Sequence, residues 1–123
     1  MNVVDSSGWL EYFANGKNAA FFAPAIEKPG ALIVPTIGLY EVFKRVLQQR
    51  DESQALRAVA IMQQGAVVDL TTSIALSAAK LAADSRLPMA DSVILATARA
   101  YNAVLWTQDV DFNGIQGVRY VPA

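Results

Sequence analysis

The sequence contains neither cysteine nor histidine. Without cysteine, the chain can form no disulfide and no thiolate zinc site. Without histidine, it lacks the most common general base and the most common ligand of transition metals. Any catalysis must therefore use carboxylates, hydroxyl groups, Lys, Tyr or a metal-bound water molecule. The absence of cysteine also fits a reducing cytoplasm, which is the location we predict.

Long hydrophobic runs are absent too, although apolar residues make up 54% of the 123 residues. No run approaches the roughly 18 uncharged apolar residues that could span a membrane. The N-terminal segment has no basic region and places Asp5 after two apolar residues, which is unlike a signal peptide. We therefore predict no membrane association. We expect the surplus apolar surface to be covered by another protein chain, as in an oligomer.

The chain shows no repeat, low-complexity tract or linker, and its length suits one domain, which we predict over residues 1–123. Five short apolar runs alternate with longer helical patterns. The runs are Val3-Val4, Ala31–Pro35, Ala66–Leu70, Ala103–Trp106 and Val118–Val121. Their short length, valine content and flanking turn residues are typical of buried parallel strands. We predict a three-layer α/β/α domain around a central, mainly parallel five-stranded sheet.

Helices are predicted between these runs. They extend from Ser7 to about Asn15, Lys17 to about Lys28, Thr36 to about Arg50, Ser53 to Gln64, Thr71 to Ser85 and Pro88 to Tyr101. We expect Pro24 to break or bend the second helix, because a helix interior loses a hydrogen bond at proline. We expect Thr36 to cap the third helix and Pro88 to lie in the first turn of the last.

Three acids follow predicted strands, where the functional crevice of a parallel α/β sheet lies. Asp5 follows the first run, and Asp109 and Asp111 follow the fourth. Each also has a structural explanation. Asp5 would cap the following helix, together with Ser6 and Ser7. Asp109 and Asp111 would be ordinary turn residues.

Two further acids lie on predicted helices. Asp91 is in the first turn of the last helix, where the helix dipole stabilises a carboxylate whatever its function. Its place at the border of the apolar arc nevertheless suits a cleft. Glu41 lies opposite the apolar stripe of its helix and can pair with Arg45, so its periodicity alone predicts a solvated residue. Three other acids receive no predicted function: Asp69, Glu11 and Glu27.

Four motifs follow one another along the chain. They are Val-Val-Asp5-Ser-Ser, Val34-Pro-Thr-Ile-Gly-Leu-Tyr-Glu41, Leu87-Pro-Met-Ala-Asp91-Ser and Thr107-Gln-Asp109-Val-Asp111-Phe. In this order and spacing they resemble the motifs of the PIN-domain family, in particular its VapC-type toxin ribonucleases from toxin–antitoxin systems. The resemblance extends over the whole chain, and the third and fourth motifs are the most specific. It implies the PIN-like form of the α/β fold.

The resemblance implies that Asp5, Glu41, Asp91 and Asp109 form a metal-binding catalytic centre. Carboxylates gathered within ~4–5 Å repel by roughly 3–4 kcal/mol per pair, so some must be protonated or a cation must neutralise them. An oxygen-only site favours Mg²⁺ or Mn²⁺ over Zn²⁺. Our hypothesis is that Asp5, Asp91 and Asp109 hold the ion, while Glu41 positions or deprotonates the attacking water.

The same motifs contain three residues with supporting roles. Asp111 would be either an outer acid of the centre or a structural turn residue. Ser7 and Thr107 would orient the carboxylates through their hydroxyl groups. Helix capping and turn formation explain the two hydroxyls almost as well.

The net charge of −1 argues, by itself, against a nucleic-acid-binding protein. Without the five acids of the motifs, however, 6 of the 11 acidic residues remain against 10 Lys and Arg, a balance of +4. Candidates for contacts with an RNA backbone are Lys44, Arg45, Arg86 and Arg99. Ordinary surface charge explains each of these singly as well.

The resemblance also implies partners: an RNA substrate cut to leave 5′-phosphate and 3′-hydroxyl ends, a cognate antitoxin that covers the cleft, and a homodimer. Leu95 and the cluster of Trp9, Tyr12 and Phe13 are candidate contact surfaces, although burial in the core explains most of that cluster. The alternative function is a non-catalytic PIN-like module that binds RNA or protein, for which metal would have no effect. A receiver-type signalling domain is disfavoured, because no Lys follows residue 80.

Overall fold

The computed structural model describes all 123 residues. It contains five β-strands and six α-helices. The strands are β1 (Asn2–Val4), β2 (Ile33–Pro35), β3 (Ala66–Val68), β4 (Val104–Thr107) and β5 (Val118–Tyr120). The helices are α1 (Ser6–Phe13), α2 (Ala19–Ile26), α3 (Thr36–Gln49), α4 (Glu52–Met62), α5 (Thr72–Ser85) and α6 (Met89–Ala100). Short 3₁₀ turns lie at Pro29–Ala31 and Val110–Phe112. None of the helices combines the length and hydropathy of a membrane span.

The strands form two parallel ladders, β1-β4-β5 and β2-β3. A single parallel bridge between Asn2 and Leu32 joins the ladders, so the strand order is β3-β2-β1-β4-β5. All carboxyl ends therefore meet at one edge. The predicted mainly parallel five-stranded sheet is confirmed. Between β1 and β2, however, one bridge takes the place of a continuous ladder.

Helices cover both faces of the sheet, because successive side chains of a strand point to opposite sides. Val4 packs in a cluster with residues of α1, α2, α3 and α4, including Trp9. Its neighbour Val3 packs in another cluster with α6, including Ile94. Helix α5 lies outside α6, and their contact buries Ile74, Ala78, Val93 and Ala96. This arrangement confirms the predicted three layers.

Two predictions about helix caps differ from the structure, and the prediction for Pro24 is narrowed. Helix α2 continues through Pro24 to Ile26, so Pro24 does not break it. The cap position of α3 is Pro35 and not Thr36, because β2 runs directly into the helix. Pro88 is likewise the cap residue of α6, with extended backbone, rather than a member of its first turn. The φ of proline suits both extended and helical backbone, so Pro35 and Pro88 can each end the extended segment before a helix.

One of the two candidate contact surfaces is corrected: Leu95 is 2% exposed and belongs to the core. In the other, Trp9 is 1% exposed, as the core explanation predicted, whereas Tyr12 and Phe13 are half-buried. Helix α6 lies between the sheet and α5, and every residue from 92 to 98 is buried. Its polar residues Ser92 and Thr97 donate hydrogen bonds to carbonyls of their own helix, each at 2.7 Å. The polar residues that suggested a solvated face are therefore satisfied inside the protein.

Candidate metal centre

Asp5 is buried at the carboxyl end of β1, with an exposed fraction of 3%. It occupies the cap position of α1, but its side chain makes no capping hydrogen bond. Instead, its Oδ2 atom accepts hydrogen bonds from Ser7 Oγ at 2.7 Å and Thr107 Oγ1 at 3.0 Å. The structural explanation of Asp5 as a helix cap is therefore right about its position but does not account for its side chain.

Thr107 connects two of the predicted acids. It is the last residue of β4 and is fully buried. Its hydroxyl donates to Asp5 and accepts the backbone N–H of Asp109 at 3.0 Å. The main chains are joined as well, since the Asp5 N–H donates to the Trp106 carbonyl at 2.9 Å. The pairing of β1 with β4 thus brings the first and last motifs of the chain together.

Asp109 and Asp111 lie in the loop after β4. Asp109 is half-buried, and its Oδ1 atom accepts the N–H of Asp111 at 2.9 Å. Asp111 is exposed, whereas Phe112 is fully buried and fixes the 3₁₀ turn on the core. Asp109 is therefore a turn residue, as the structural explanation predicted, and its side chain also lies beside the other acids.

Asp91 is half-buried in the first turn of α6 and lies close to the other acids. Its pKa is raised from 3.8 to about 7, first because burial disfavours the charged form. The negative charges of Asp5, Asp109, Asp111 and Glu41 raise it further, in that order. Burial also raises the pKa of Asp5, against the opposing effect of its two hydroxyl donors. The fold therefore holds these acids together at an electrostatic cost.

Glu41 is half-buried on α3, and its Oε1 atom accepts a 2.6 Å hydrogen bond from Ser6 Oγ. The prediction of a fully solvated Glu41 from periodicity is wrong, because the Glu41 side chain is half-buried against Ser6 of α1. Ser6 had no predicted role beyond capping. The signal was the pair of consecutive hydroxyls after Asp5: neighbouring helical residues point about 100° apart, so Ser7 reaches Asp5 while Ser6 reaches Glu41.

One depression of about 290 Å³ brings these side chains together at the carboxyl edge of the sheet. Its lining consists of Asp5, Ser6, Ser7, Leu10, Glu41, Arg45, Asp91 and Asp109. We call it the acid pocket. All four acids predicted as catalytic line it, although they come from β1, α3, α6 and the loop after β4.

The closest group of carboxylates differs from the predicted metal ligands. Oxygen atoms of Asp91, Asp109 and Asp111 lie within 4.8 Å of one another. This group includes Asp111 in place of Asp5, whose Oδ2 atom is already used by two hydroxyls. The donors are all carboxylate oxygens, which fits a hard ion such as Mg²⁺ or Mn²⁺.

Comparison with known proteins places this geometry in a family. The family model described as PIN domain matches residues 3–118. No curated protein matches the chain by sequence. Among solved structures, a toxin–antitoxin complex from Klebsiella pneumoniae superposes with a TM-score of 0.81 at 22% sequence identity, over 97% of this chain and 96% of that chain.

Two other structures have the same fold. The Mycobacterium tuberculosis VapC20, described as a sarcin-ricin loop cleaving toxin, gives a TM-score of 0.77 at 19% identity, over 94% of this chain and 95% of that chain. DNA-bound VapBC from Salmonella typhimurium gives 0.75 at 16% identity, over 99% and 98%. The family match extends from β1 to β5 and includes every acid of the acid pocket. The chain therefore belongs to the PIN domain family, as its four motifs predicted.

Proposed function

We propose that this PIN domain is a VapC-like toxin, a metal-dependent endoribonuclease that hydrolyses phosphodiester bonds of RNA. One observation carries the proposal: Asp5, Glu41, Asp91 and Asp109 come from distant parts of the sequence and line a single pocket. Burial and neighbouring negative charges raise the pKa values of Asp5 and Asp91, which is typical of a site built for a cation or for catalysis. The Mycobacterium tuberculosis structure, described as a toxin that cleaves the sarcin-ricin loop, supports RNA as the substrate.

In this proposal, Asp91 and Asp109 hold a Mg²⁺ or Mn²⁺ ion together with Asp5, Asp111 or both. The ion supplies activation of water and neutralisation of the charge that builds on the phosphodiester. Asp5 is held in place by Ser7 and Thr107, as ligand-orienting hydroxyls are in metal sites.

Glu41 is the proposed general base. Its Oε1 atom is engaged by Ser6, which fixes the carboxylate while the side chain still lines the pocket. Attack by water leaves 5′-phosphate and 3′-hydroxyl ends. Since the chain has no histidine, a histidine-based reaction through the 2′-hydroxyl is excluded.

The partners are proposed on the same basis. A toxin–antitoxin complex from Klebsiella pneumoniae shares the fold, as do VapBC structures from Salmonella typhimurium and Haemophilus influenzae, which supports a cognate antitoxin as a partner. We propose that this antitoxin covers the acid pocket. We further propose a cytoplasmic homodimer, in which the chain forms one PIN domain over residues 1–123. Apolar side chains on the surface, among them Leu56, Leu76 and Met89, are available for protein contacts.

The test is cleavage of structured RNAs by the purified protein with Mg²⁺, with Mn²⁺ or with EDTA. We expect cleavage with either metal, none with EDTA, and none by an Asp5→Asn variant, whose shape is unchanged. Asp69→Asn alters an exposed acid outside the acid pocket and serves as the control that keeps activity. Cleavage that survives both EDTA and Asp5→Asn contradicts the proposal. RNA or protein binding without cleavage, and without a metal effect, favours the non-catalytic module.

A further inference from the structure

A second depression, of about 270 Å³, lies along α3 beside the acid pocket. Its lining is Tyr40, Glu41, Lys44, Arg45 and Gln48. Glu41 and Arg45 line both depressions, so the two form one continuous surface. A chain-like ligand bound at the acids would therefore extend onto this part of α3.

Tyr40 presents an aromatic ring on this surface. Its side chain is 63% exposed, whereas Val42, on the same helix, is fully buried. The Lys44 ammonium lies 5.8 Å from the centre of the Tyr40 ring, which is within cation–π distance. The ring is thus adjacent to a positive charge and is not used by the core. Exposed rings of this kind provide stacking surfaces for unpaired bases.

The charges of this surface complement a nucleic-acid backbone. Lys44 and Arg45 are the only basic residues that line either depression, although the chain has ten. The acids beside them repel phosphate, so approach of RNA requires cations at the margin of the acid pocket. Another groove with two cations, between α5 and α6, includes Lys80 and Arg99 but shares no residue with the acid pocket.

We propose that Tyr40, Lys44 and Arg45 form a subsite for a nucleotide of single-stranded RNA next to the cut bond. The base stacks on the Tyr40 ring, and Lys44 and Arg45 contact the flanking phosphates. This inference rests on the proposed ribonuclease function. It adds that the substrate is an RNA segment that is unpaired at the cut site, so that a base is free to stack on Tyr40. Duplex RNA hides its bases from such a ring.

The first test compares Tyr40→Ala with Tyr40→Phe in steady-state cleavage of a single-stranded RNA of mixed sequence. We expect Tyr40→Ala to raise KM about 10-fold with little change in kcat, as loss of one base stack does. Tyr40→Phe keeps the ring and should resemble the parent protein. Tyr101→Ala is the matched control. Tyr101 is also exposed, but it lies at the C-terminal end of α6, whereas Asp91 lies in the first turn.

The second test measures binding of a labelled single-stranded RNA at several salt concentrations, in an Asp91→Asn background that is expected not to cut. Lys44→Gln should reduce the slope of log K against log salt by about 0.7, the value for one phosphate contact on a single strand. Lys80→Gln, in the groove between α5 and α6, should leave the slope unchanged.

The outcomes separate the two claims. If the parent protein cuts RNA but Tyr40→Ala has the parent's KM and affinity, the subsite is overturned and the ribonuclease function stands. If RNA binding depends on Tyr40 but no metal supports cleavage, the subsite stands and the nuclease function is overturned. If Tyr40→Ala changes the oligomeric state and not RNA affinity, the surface is a protein interface and the inference is overturned.

Discussion

Ser6 donates a 2.6 Å hydrogen bond to Glu41, a residue 35 positions away in the sequence. The bond connects the first turn of α1 to the second turn of α3, so the two hydroxyls after Asp5 serve different acids. Ser7 holds Asp5, and Ser6 holds Glu41. The orientation of the proposed general base is therefore set by the motif that carries the first acid.

Replacement of Ser6 by alanine tests this relationship. We expect Ser6→Ala to lower kcat by about 10-fold to 100-fold, since a hydrogen bond to a charged group contributes about 1.5–3 kcal/mol. KM for RNA should change little, because Ser6 contacts Glu41, the proposed general base, and is not proposed to contact the RNA. Ser6→Thr keeps the hydroxyl and should recover part of the activity. Ser73→Ala, on the exposed side of α5, is the control. An unchanged kcat for Ser6→Ala would show that Glu41 needs no such support.

Asp91 predicts a pH dependence of stability in the metal-free protein. Its pKa is raised from 3.8 to about 7, so the folded state binds a proton more tightly than the unfolded state. The stabilisation is complete below pH 3.8 and is lost as the pH rises through about 7. We expect the Tm in EDTA to fall between pH 5 and pH 8, and Mg²⁺ to restore it at pH 8.

Asp91→Asn has no such proton to lose. Its Tm in EDTA should therefore vary less over this pH range and should respond less to Mg²⁺. Asp5 contributes in the same direction, because burial raises its pKa as well. Thermal melts by differential scanning fluorimetry measure both effects. A parent protein whose Tm rises from pH 5 to pH 8 in EDTA would contradict the electrostatic account of the acid pocket.

Thr107 predicts a coupled loss of stability and activity. Thr107→Val keeps the shape but leaves the Asp5 carboxylate without one donor and the Asp109 N–H without its acceptor. We expect the free energy of unfolding in urea to fall by about 1–3 kcal/mol, the cost of unpaired buried polar groups. RNA cleavage should also fall, since two acids lose a support. Thr107→Ser retains the hydroxyl and should lie close to the parent protein in both measurements.

Gly8 predicts a purely steric effect. A Cβ atom there would lie 2.6 Å from Phe22 Cε1 and 2.8 Å from Val4 Cγ1, so α1 would have to move away from the sheet. We expect Gly8→Ala to destabilise the fold by about 1–3 kcal/mol, the usual cost of overpacking a core. Gly30→Ala is the matched control, because nothing lies within 4 Å of its added Cβ. Equal urea midpoints for the two variants would mean that α1 adjusts without cost.

The sequence identified the strands and the acids that follow them, for a physical reason. Short valine-rich runs between turn residues are typical of parallel strands, and the carboxyl ends of parallel strands meet at one edge. Asp5 and Asp109 could therefore be placed together from the chain alone. Helix residues were harder to place. A helical wheel of α3 shows where Glu41 lies relative to the apolar stripe of that helix. It cannot show that α1 packs beside Glu41 on the opposite face.

The errors on α6 have a different origin. Amphipathic patterns assume one buried face and one solvated face. Helix α6 is covered by the sheet on one side and by α5 on the other. Leu95 is therefore buried, although Asp91, Ser92 and Arg99 share its side of the helical wheel. Ser92 and Thr97 bond within the helix and do not signal solvent. Burial of a helix on two opposite faces could not be predicted from its own sequence pattern, because it depends on which elements pack against it.

The bridge between Asn2 and Leu32 lies between the strands that carry the two sides of the acid pocket. Asp5 and Asp109 follow strands of one ladder, whereas Glu41 follows β2 in the other. The Ser6–Glu41 hydrogen bond crosses the same boundary. The position of the proposed general base relative to Asp5 and Asp109 therefore depends on a side-chain contact as well as on the sheet.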